Sequence, residues 1–292
     1  MEVPMCGIAG LIDLKRQLDG NKLALQAKYM ADSIIHRGPD TGGQWTDSKS
    51  GVALGFRRLA IIDLTQKGHQ PMLSGNKRYA VVFNGEIYNF QELRTELIEQ
   101  GVAFNGMSDT EVMLEGFVRW GVEPTVKRLI GMFAVALWDR EERRLWLIRD
   151  RLGIKPLYFG LVGNRFLFGS ELKALRATDG WEPEIDRDAI AAYMRFNYIP
   201  TPRSVYKDVY KLPPGSILSY EPGGEPDVWR YWKMADIAQQ SRINVPENKA
   251  VSAAETLMRD AIRRRMVADV PLGALLSGGV DSTTVAALMQ EE

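Results

Sequence analysis

Short apolar runs alternate with glycine, asparagine and proline along most of this chain, a pattern typical of strands separated by turns. Residues 132–138 and 144–149 form two nearly continuous apolar runs, which predict buried strands joined through 139–143. A further run at 165–168 predicts another strand, followed by a short helix from Ser170. Strands on both sides of a few helices predict stacked sheets with the helices outside them.

Two helices are predicted between these strands from their end signals. Asn89 is the expected N-cap of the first helix, with a capping-box glutamate three residues later and Gly101 as its terminator. Ser108 is the expected N-cap of the second helix, whose apolar residues continue until Gly121. This places Asp109 in the first helical turn, where a carboxylate suits the positive end of the helix dipole.

The dipeptide Asn84-Gly85 separates the apolar residues 81–83 from 87–88. Asparagine and glycine both accept a positive φ, as the two central positions of a tight turn require. The pattern therefore predicts a β-hairpin at this point.

A change in composition indicates where the first domain ends. Prolines and glycines cluster between Pro200 and Pro226, which predicts an irregular closing region and linker. A basic amphipathic helix is expected over 253–266, so we set the domain boundary at 245–248. The predicted domains are residues 6–244, which include the closing linker, and residues 245–292.

Composition and charge exclude several classes of partner. Lys plus Arg equals Asp plus Glu at 37 each, so no overall field attracts nucleic acid or an anionic membrane. The longest apolar runs are far shorter than the roughly 20 residues of a membrane span. The N-terminus has no basic residue before its apolar stretch, unlike a secretion signal. We expect a cytoplasmic protein without nucleic-acid or membrane partners.

Cys6 is the only cysteine in the chain, so its role is either packing or reactivity. If the mature chain began at Cys6, its thiol would lie beside a free α-amino group with a pKa of about 7.7–8.0. That amine could accept the thiol proton, which would unite nucleophile and general base in one residue. From the residues alone, a buried cysteine on a first strand is an equally good interpretation.

The string Ser277-Gly278-Gly279-Val280-Asp281-Ser282 follows the apolar residues 270–276 and precedes a helical pattern. This predicts a buried strand, a glycine-rich turn and a helix N-terminus whose amides and hydroxyls bind an anion. A plain turn with Ser/Asp capping is the alternative. The chain ends on this new helix, which we interpret as the opening of a second domain in a fragment.

Six motifs occur in order along the chain: MCGIAG around Cys6, HRGPD, RRLAIID, FNGEIYN, SDTE and SGGVDS. Together they resemble the glutamine-hydrolysing asparagine synthetases, which join a class II glutamine amidotransferase domain to an ATP-dependent synthetase domain. The resemblance implies an α+β fold, a four-layer αββα N-terminal nucleophile hydrolase sandwich. It also implies that the truncated start of an α/β adenine-nucleotide α-hydrolase-like domain follows.

In that family the N-terminal cysteine attacks the side-chain amide of glutamine, forms a thioester and expels ammonia. The resemblance gives this role to Cys6 and so favours reactivity over packing. It gives the oxyanion hole to the Asn84 side chain and the Gly85 backbone N–H, donors that must be fixed before charge develops. The hairpin interpretation of the same dipeptide stays compatible with this role.

The resemblance also implies how glutamine is recognised. Arg58 resembles the arginine that binds the substrate carboxylate, although a surface arginine is the alternative. Asp109 and Glu86 resemble the residues that hold the substrate ammonium, with a simple helix-start charge as the alternative for Asp109. The implied glutamine-binding residues are Arg58, Leu59, Ala60, Ile61, Ile62, Asn84, Gly85, Glu86 and Asp109.

In complete members the second domain uses ATP and Mg²⁺ to adenylate the β-carboxylate of aspartate, and ammonia then displaces AMP to give asparagine. The glutaminase half-reaction needs no cofactor, and His36 is expected to order the HRGPD loop. With two histidines and one cysteine, no zinc-type metal site can be assembled. The implied ATP-binding residues are Leu275, Ser277, Gly278, Gly279, Asp281 and Ser282.

The segment Glu2-Val3-Pro4-Met5 departs from the family pattern because it precedes the expected nucleophile. Either Met5 is the true start, or the leader is removed, or the glutaminase is inactive. We favour a start that has been assigned or engineered too far upstream.

The leading hypothesis is therefore a glutamine-dependent asparagine synthetase that lacks most of its second domain. Its small-molecule partners are glutamine, aspartate and ATP, and relatives are often homodimers. One alternative is an amidotransferase of the same family that acts on a peptide or sugar-acid carboxylate. Another is a non-catalytic glutamine-binding module in which Cys6 is never freed.

Overall fold

A computed structural model describes residues 5–240 and 244–292 of the chain. The strands are β1 (Gly7–Asp13), β2 (Thr41–Asp47), β3 (Val52–Arg58), β4 (Met72–Leu73), β5 (Tyr79–Ile87), β6 (Gly131–Asp139), β7 (Arg144–Arg149), β8 (Tyr158–Val162), β9 (Arg165–Gly169), β10 (Val209–Lys211), β11 (Ser216–Tyr220) and β12 (Asp227–Arg230). The helices are α1 (Gly20–Asp32), α2 (Phe90–Glu99), α3 (Asp109–Trp120), α4 (Val122–Arg128), α5 (Leu172–Arg176), α6 (Arg187–Phe196), α7 (Met234–Ala238), α8 (Glu247–Arg265) and α9 (Val280–Glu291).

The strands form two six-stranded antiparallel sheets, in the orders β10-β8-β9-β1-β3-β2 and β12-β11-β7-β6-β5-β4. The first strand, β1, lies between β3 and β9 in the middle of its sheet. The residue before β1 is Cys6, so the fold fixes the predicted nucleophile at the end of a central strand. The expected strands at 132–138, 144–149 and 165–168 are confirmed as β6, β7 and β9.

Alternating side chains give each sheet two buried faces. Phe56 and Phe168 of the first sheet share one buried cluster with Val82, Ala136 and Trp138 of the second, so this cluster fills the space between the sheets. Side chains one position away point to the opposite face of each strand. On those outer faces, α1 and α5 cover the first sheet, and α2, α3 and α4 cover the second. The order helix, sheet, sheet, helix confirms the predicted αββα sandwich.

The predicted hairpin at Asn84-Gly85 is wrong. Both residues lie inside β5, where Asn84 pairs with Ala134 and Gly85 pairs with Phe133 of β6. A Cβ on Gly85 would stand 2.1 Å from the Met132 carbonyl oxygen, so close approach of the two strands explains the glycine. Turn propensity is overridden here by a full-length partner strand.

The two predicted helix starts have different outcomes. The Ser108 side chain accepts a hydrogen bond from the Glu111 N–H, so this N-cap is confirmed. Asn89 does precede α2, but its side chain makes no capping bond. Its amide instead donates to the Arg128 carbonyl and accepts from the Ile130 N–H, because α4 and the loop after it lie alongside.

The proline-rich region between Pro200 and Pro226 is more regular than expected. It contains β10 and β11, and β11 is buried along its whole length between β7 and β12. The prolines flank these strands, where no ladder N–H is needed, so they do not interrupt them. The prediction of an irregular closing region is therefore wrong for residues 209–211 and 216–220.

The C-terminal part departs from expectation in one element. The predicted basic helix is present as α8, which begins earlier than the sequence indicated. The predicted buried strand at 270–276 is wrong, since these residues carry no strand and Leu275 is 90% exposed. A strand needs a neighbour for its backbone hydrogen bonds, and none of the strands in the described residues lies beside this segment. Within the same described ranges, no helix is both long and apolar enough to cross a membrane.

Candidate active site

A cavity of about 320 Å³ lies at the N-terminal end of β1. Several separate parts of the chain meet there: the start of β1, the end of β3 with the loop after it, the end of β5, the first turn of α3, the start of β6, and the segment between β7 and β8. Most of the predicted glutaminase residues line this cavity: Cys6, Arg58, Leu59, Ile61, Ile62, Asn84, Gly85, Glu86 and Asp109. Ala60 does not line it, and its N–H donates to Asp40 Oδ2 at 2.8 Å.

The Cys6 sulfur is held by the backbone of Leu59. The Leu59 N–H donates to Sγ at 3.3 Å, and the thiol contacts the Leu59 carbonyl at 3.4 Å. Burial raises the pKa of the Cys6 thiol, whereas the Leu59 N–H, Lys155 and Arg58 act in the opposite direction. The negative charge of Asp109 adds to the upward shift. Burial is the largest of these effects, so the free thiol form is favoured in this state.

Met5 is part of the same cavity wall. Its backbone N–H donates to the Arg37 carbonyl at 2.7 Å. With Met5 attached, the nitrogen of Cys6 is an amide and cannot accept a proton. The general base that the sequence interpretation requires therefore exists only in a chain that begins at Cys6.

The Asn84 side chain provides a buried donor without a partner. Its Nδ2 atom is buried and has no hydrogen-bond acceptor within residues 5–240 and 244–292. An unpaired buried amide is costly, and such groups in native proteins usually have a functional explanation. Because Asn84 and Cys6 line one cavity, the free donor is available to a negatively charged oxygen that forms beside the sulfur.

Arg58 is buried, so the alternative of a surface arginine is wrong. Its guanidinium donates to the carbonyls of Thr65, Ile62 and Asp63. These bonds fold the loop after β3 around the guanidinium, which still lines the cavity. The residue therefore shapes the loop that carries the predicted glutamine contacts, besides placing a positive charge in the cavity.

Two acidic groups give one end of the cavity its negative charge. Asp109 Oδ2 accepts from the Ile87 N–H at 2.9 Å, so the α3 start is tied to the end of β5. Burial raises the pKa of Asp109 to about 6, and the charge of Glu86 adds to this shift. Burial also raises the pKa of Glu86, whereas Lys155 and Arg265 lower it. A cationic group would be stabilised between these two carboxyls.

The sequence interpretation did not select three residues of this region. Lys155 and Gln70 line the cavity, and Arg37 contacts Cys6. Gln70 Oε1 accepts from the Phe83 N–H at 2.6 Å and so joins the loop to β5. Arg37 Nε donates to the Cys6 carbonyl at 3.1 Å. Arg37 belongs to the HRGPD motif, so the sequence contained a signal that could have identified it. Lys155 lies in a Gly-Ile-Lys-Pro loop, and the composition of that loop gave no such signal.

The predicted ATP-binding residues lie outside this cavity, in the exposed loop before α9 and in the first turn of α9. Ser277 Oγ and Ser282 Oγ are 2.9 Å apart, and Ser282 Oγ also donates to the Gly279 carbonyl at 3.1 Å. Gly278 has a φ of 80°, which glycine adopts without strain. Gly279 gives α9 no side-chain cap, so the first N–H groups of α9 stay available for an anion. In the described parts of the chain, no group of three or more His, Cys, Asp or Glu side chains could hold a metal ion.

The sandwich of two antiparallel sheets covered by helices, with a cysteine directly before the central strand β1, is the fold of the N-terminal nucleophile hydrolase class. Solved structures of two enzymes share this fold. One is titled the allosteric regulatory enzyme of purine biosynthesis (TM-score 0.57, 20% identity, 78% of this chain and 49% of that one). The other is glutamine phosphoribosylpyrophosphate amidotransferase from B. subtilis (TM-score 0.58, 18% identity, 98% of this chain and 64% of that one).

Sequence comparison identifies the family. Residues 5–232 match the glutamine amidotransferase domain model, so the chain belongs to that family, and residues 253–292 match the asparagine synthase model. Among curated proteins, asparagine synthetase [glutamine-hydrolyzing] 3 of Bacillus subtilis is 36% identical over 97% of this chain and 45% of its own length. Asparagine synthetase [glutamine-hydrolyzing] 1 of the same organism is 37% identical over 98% of this chain and 44% of its own. The chain thus spans less than half of these relatives.

Proposed function

We propose that this chain supplies the glutamine-hydrolysing part, and the start of the ATP-dependent part, of an asparagine synthetase. The observation that carries the proposal is the Cys6 sulfur sharing one cavity with the unpartnered Asn84 amide. The family match and the names of the relatives support glutamine as donor and aspartate as acceptor. We place the two domains at residues 6–244 and 245–292.

Glutamine hydrolysis begins when Cys6 Sγ attacks the side-chain amide carbon, while the thiol proton moves to the freed α-amine of Cys6. The carbonyl oxygen becomes an oxyanion, which the Asn84 Nδ2–H and the Gly85 backbone N–H stabilise. The amine returns the proton to the leaving nitrogen, so ammonia departs and a thioester remains. Water then adds to the thioester, glutamate leaves, and the thiol is restored.

Substrate selection uses the two charged ends of the cavity. Arg58 takes the α-carboxylate of glutamine, and backbone groups of Leu59 to Ile62 line the same side. Asp109 and Glu86 take the α-ammonium, because paired carboxyls stabilise a cation that neither could hold as well alone. A ligand that carries both charges and a side-chain amide satisfies all of these groups at once.

The exposed loop from Leu275 to Gly279, together with the first turn of α9, contributes to ATP binding. Backbone N–H groups at the start of α9 and the two serine hydroxyls suit phosphate oxygens, and Asp281 provides an oxygen ligand of the kind that Mg²⁺ prefers. ATP supplies the activation of the aspartate β-carboxylate as an adenylate. The fold, the lone free thiol and the small-molecule substrates fit a cytoplasmic enzyme, and a homodimer is compatible with them.

The decisive experiment compares the 292-residue chain with a chain that begins at Met5. Intact mass shows which protein has Cys6 as its first residue, and glutamate release from glutamine measures activity. We expect hydrolysis only from the protein with a free Cys6, together with covalent labelling by 6-diazo-5-oxo-norleucine. The matched Cys6→Ala variant should lose at least about a thousandfold in kcat, since it lacks the nucleophile. Full activity in Cys6→Ala, or in the protein that keeps its leader, would disprove the mechanism.

A further inference from the structure

We propose that Lys155 is a positioning residue for the glutaminase step, whose buried ammonium stabilises negative charge as it develops on the Cys6 sulfur. The proposal rests on Cys6 being the nucleophile. It adds a charged group to the site that neither the sequence motifs nor the oxyanion-hole assignment includes. The two residues line the same cavity although they are far apart in the chain.

The backbone of Lys155 is fixed by the buried Asp150 carboxylate. Asp150 Oδ2 accepts from the Lys155 N–H at 3.0 Å, and Oδ1 accepts from the Ile154 N–H at 2.9 Å. The Lys155 carbonyl in turn accepts from Arg149 Nε at 2.8 Å. The base of the side chain therefore has a defined position, and its ammonium can be directed into the cavity reproducibly.

The ammonium itself is poorly satisfied. Lys155 is only 5% exposed, and the hydrogen-bond contact of its Nζ within the described chain is to Met5 Sδ at 3.1 Å. A thioether sulfur is a weak acceptor and does not compensate for burying a positive charge. A buried cation that lines the same cavity as a reactive thiol, with no carboxylate bonded to it among residues 5–240 and 244–292, favours negative charge on the sulfur.

The charges around both groups support this direction. At Lys155, burial lowers the pKa, Glu86, Cys6 and Asp150 raise it, and Arg37 lowers it. The ammonium thus has attractive partners on its cavity side. At the Cys6 thiol, Lys155 is the first of the charged groups that lower the pKa, followed by Arg58, and both oppose burial and the charge of Asp109.

A competing role would be to act on Glu86, whose pKa Lys155 also lowers. In that case the lysine would tune binding of the substrate ammonium, and its loss would change KM for glutamine and leave the thiol unaffected. The two roles are separable, because the chemistry of the thiol can be followed with a reagent that has no α-ammonium group.

The test measures alkylation of Cys6 by iodoacetamide across pH, followed by intact mass, in wild type and in three variants. Lys155→Met removes the charge with little change of volume, and Lys155→Arg retains it. Lys207→Met is the matched control, since it removes an exposed lysine that pairs with Glu184 and does not line the cavity. In the 292-residue chain the Cys6 nitrogen is an amide, so the pH profile reports the thiol.

We expect the midpoint of the profile to rise by about one pH unit in Lys155→Met, the lower end of the shift that one nearby opposite charge produces. At pH 7 the fraction of Cys6 present as thiolate then falls about tenfold. A thiolate of higher pKa is also roughly threefold more nucleophilic, so the rate of alkylation falls only about threefold. Above the midpoint, the rate should not fall. Lys155→Arg and Lys207→Met should keep the wild-type midpoint.

An unchanged midpoint in Lys155→Met would overturn the proposal, as would an equal shift in Lys207→Met. A change confined to KM for glutamine would assign Lys155 to Glu86 instead and also overturn it. Alkylation does not require glutamine turnover. A shifted midpoint, together with no glutamine hydrolysis by the protein that begins at Cys6, would therefore refute the proposed function and leave the role of Lys155 standing.

Discussion

The charge of the cavity depends on pH through the carboxyl group of Asp109. Burial raises its pKa from 3.8 to about 6, against hydrogen bonds from the N–H groups of Ile87 and Thr110. Because the folded pKa is the higher one, the neutral carboxyl stabilises the fold below pH 3.8, and this contribution is lost as the pH rises through about 6. The ionised form that a substrate ammonium needs therefore predominates only above about pH 6.

We expect kcat/KM for glutamine to show an acid limb with an apparent pKa near 6, because kcat/KM reports the free enzyme. Asp109→Asn keeps an oxygen for the Ile87 N–H and loses the charge, so this limb should disappear and kcat/KM should fall about tenfold or more. Glu115→Gln is the control, a half-buried acid outside the cavity. Persistence of the limb in Asp109→Asn would contradict the assignment.

A substitution at Gly85 tests whether β5 and β6 must approach each other closely. A Cβ at this position would lie 2.1 Å from the Met132 carbonyl oxygen and 2.7 Å from the Phe133 Cα, so both strands would have to shift. Gly85→Ala should lower the free energy of unfolding by about 3 kcal/mol in denaturant titrations and abolish hydrolysis. Gly20→Ala meets no atom closer than 3.6 Å and should leave both properties near wild type.

At the scale of elements, the loop after β3 connects the cavity to the C-terminal part of the chain. The Asp63 N–H donates to Asp269 Oδ2 at 2.7 Å, and the Asp269 N–H donates to the Ile61 carbonyl at 2.9 Å. Asp269 lies between α8 and the glycine-rich loop, and Arg265 of α8 stacks on the Tyr88 ring at 4.4 Å. These contacts join the glutamine loop to the segment that leads into the predicted ATP site.

Removing the Asp269 carboxylate should loosen the glutamine loop. We expect Asp269→Ala to raise KM for glutamine about fivefold, with kcat little changed, since one partly buried hydrogen bond contributes about 1 kcal/mol. Asp269→Asn retains an acceptor oxygen and should stay close to wild type. Equal KM values in wild type and Asp269→Ala would show that the contact does not support the loop.

At the scale of the whole molecule, the N-terminal and C-terminal parts differ in how much regular structure and buried core they contain. The N-terminal part has two sheets, four layers and a closed core, whereas residues 271–281 lie exposed and carry no strand. The cavity beside Cys6 is therefore lined entirely by residues of the layered part, from Met5 to Lys155.

The protein that begins at Cys6 and extends to Glu292 should hydrolyse glutamine weakly and make no asparagine. With ATP, aspartate and ammonia supplied, pyrophosphate release should stay at the background of a chain without aspartate. Aspartate-dependent pyrophosphate release from this protein would show that the acceptor site is complete within these residues.

The sequence determined the elements whose signals are local. Serine at an N-cap, glycine after a helix and uninterrupted apolar runs depend on neighbours within a few residues, so α3, β6, β7 and β9 were predictable. The order and spacing of six motifs indicated the family, because each motif places particular residue types at positions where the reaction needs them. The same signals could not show that Asn84-Gly85 lies inside a strand.

Only the tertiary structure decided the features that depend on distant partners. Asn84 and Gly85 lie in β5 because β6 pairs with it, and 270–276 forms no strand because no neighbour lies alongside. Likewise Lys155 enters the site from the segment between β7 and β8, where Asp150 fixes its backbone. Backbone pairing and buried charge depend on contacts between segments far apart in the chain, and no local pattern of residues encodes those contacts.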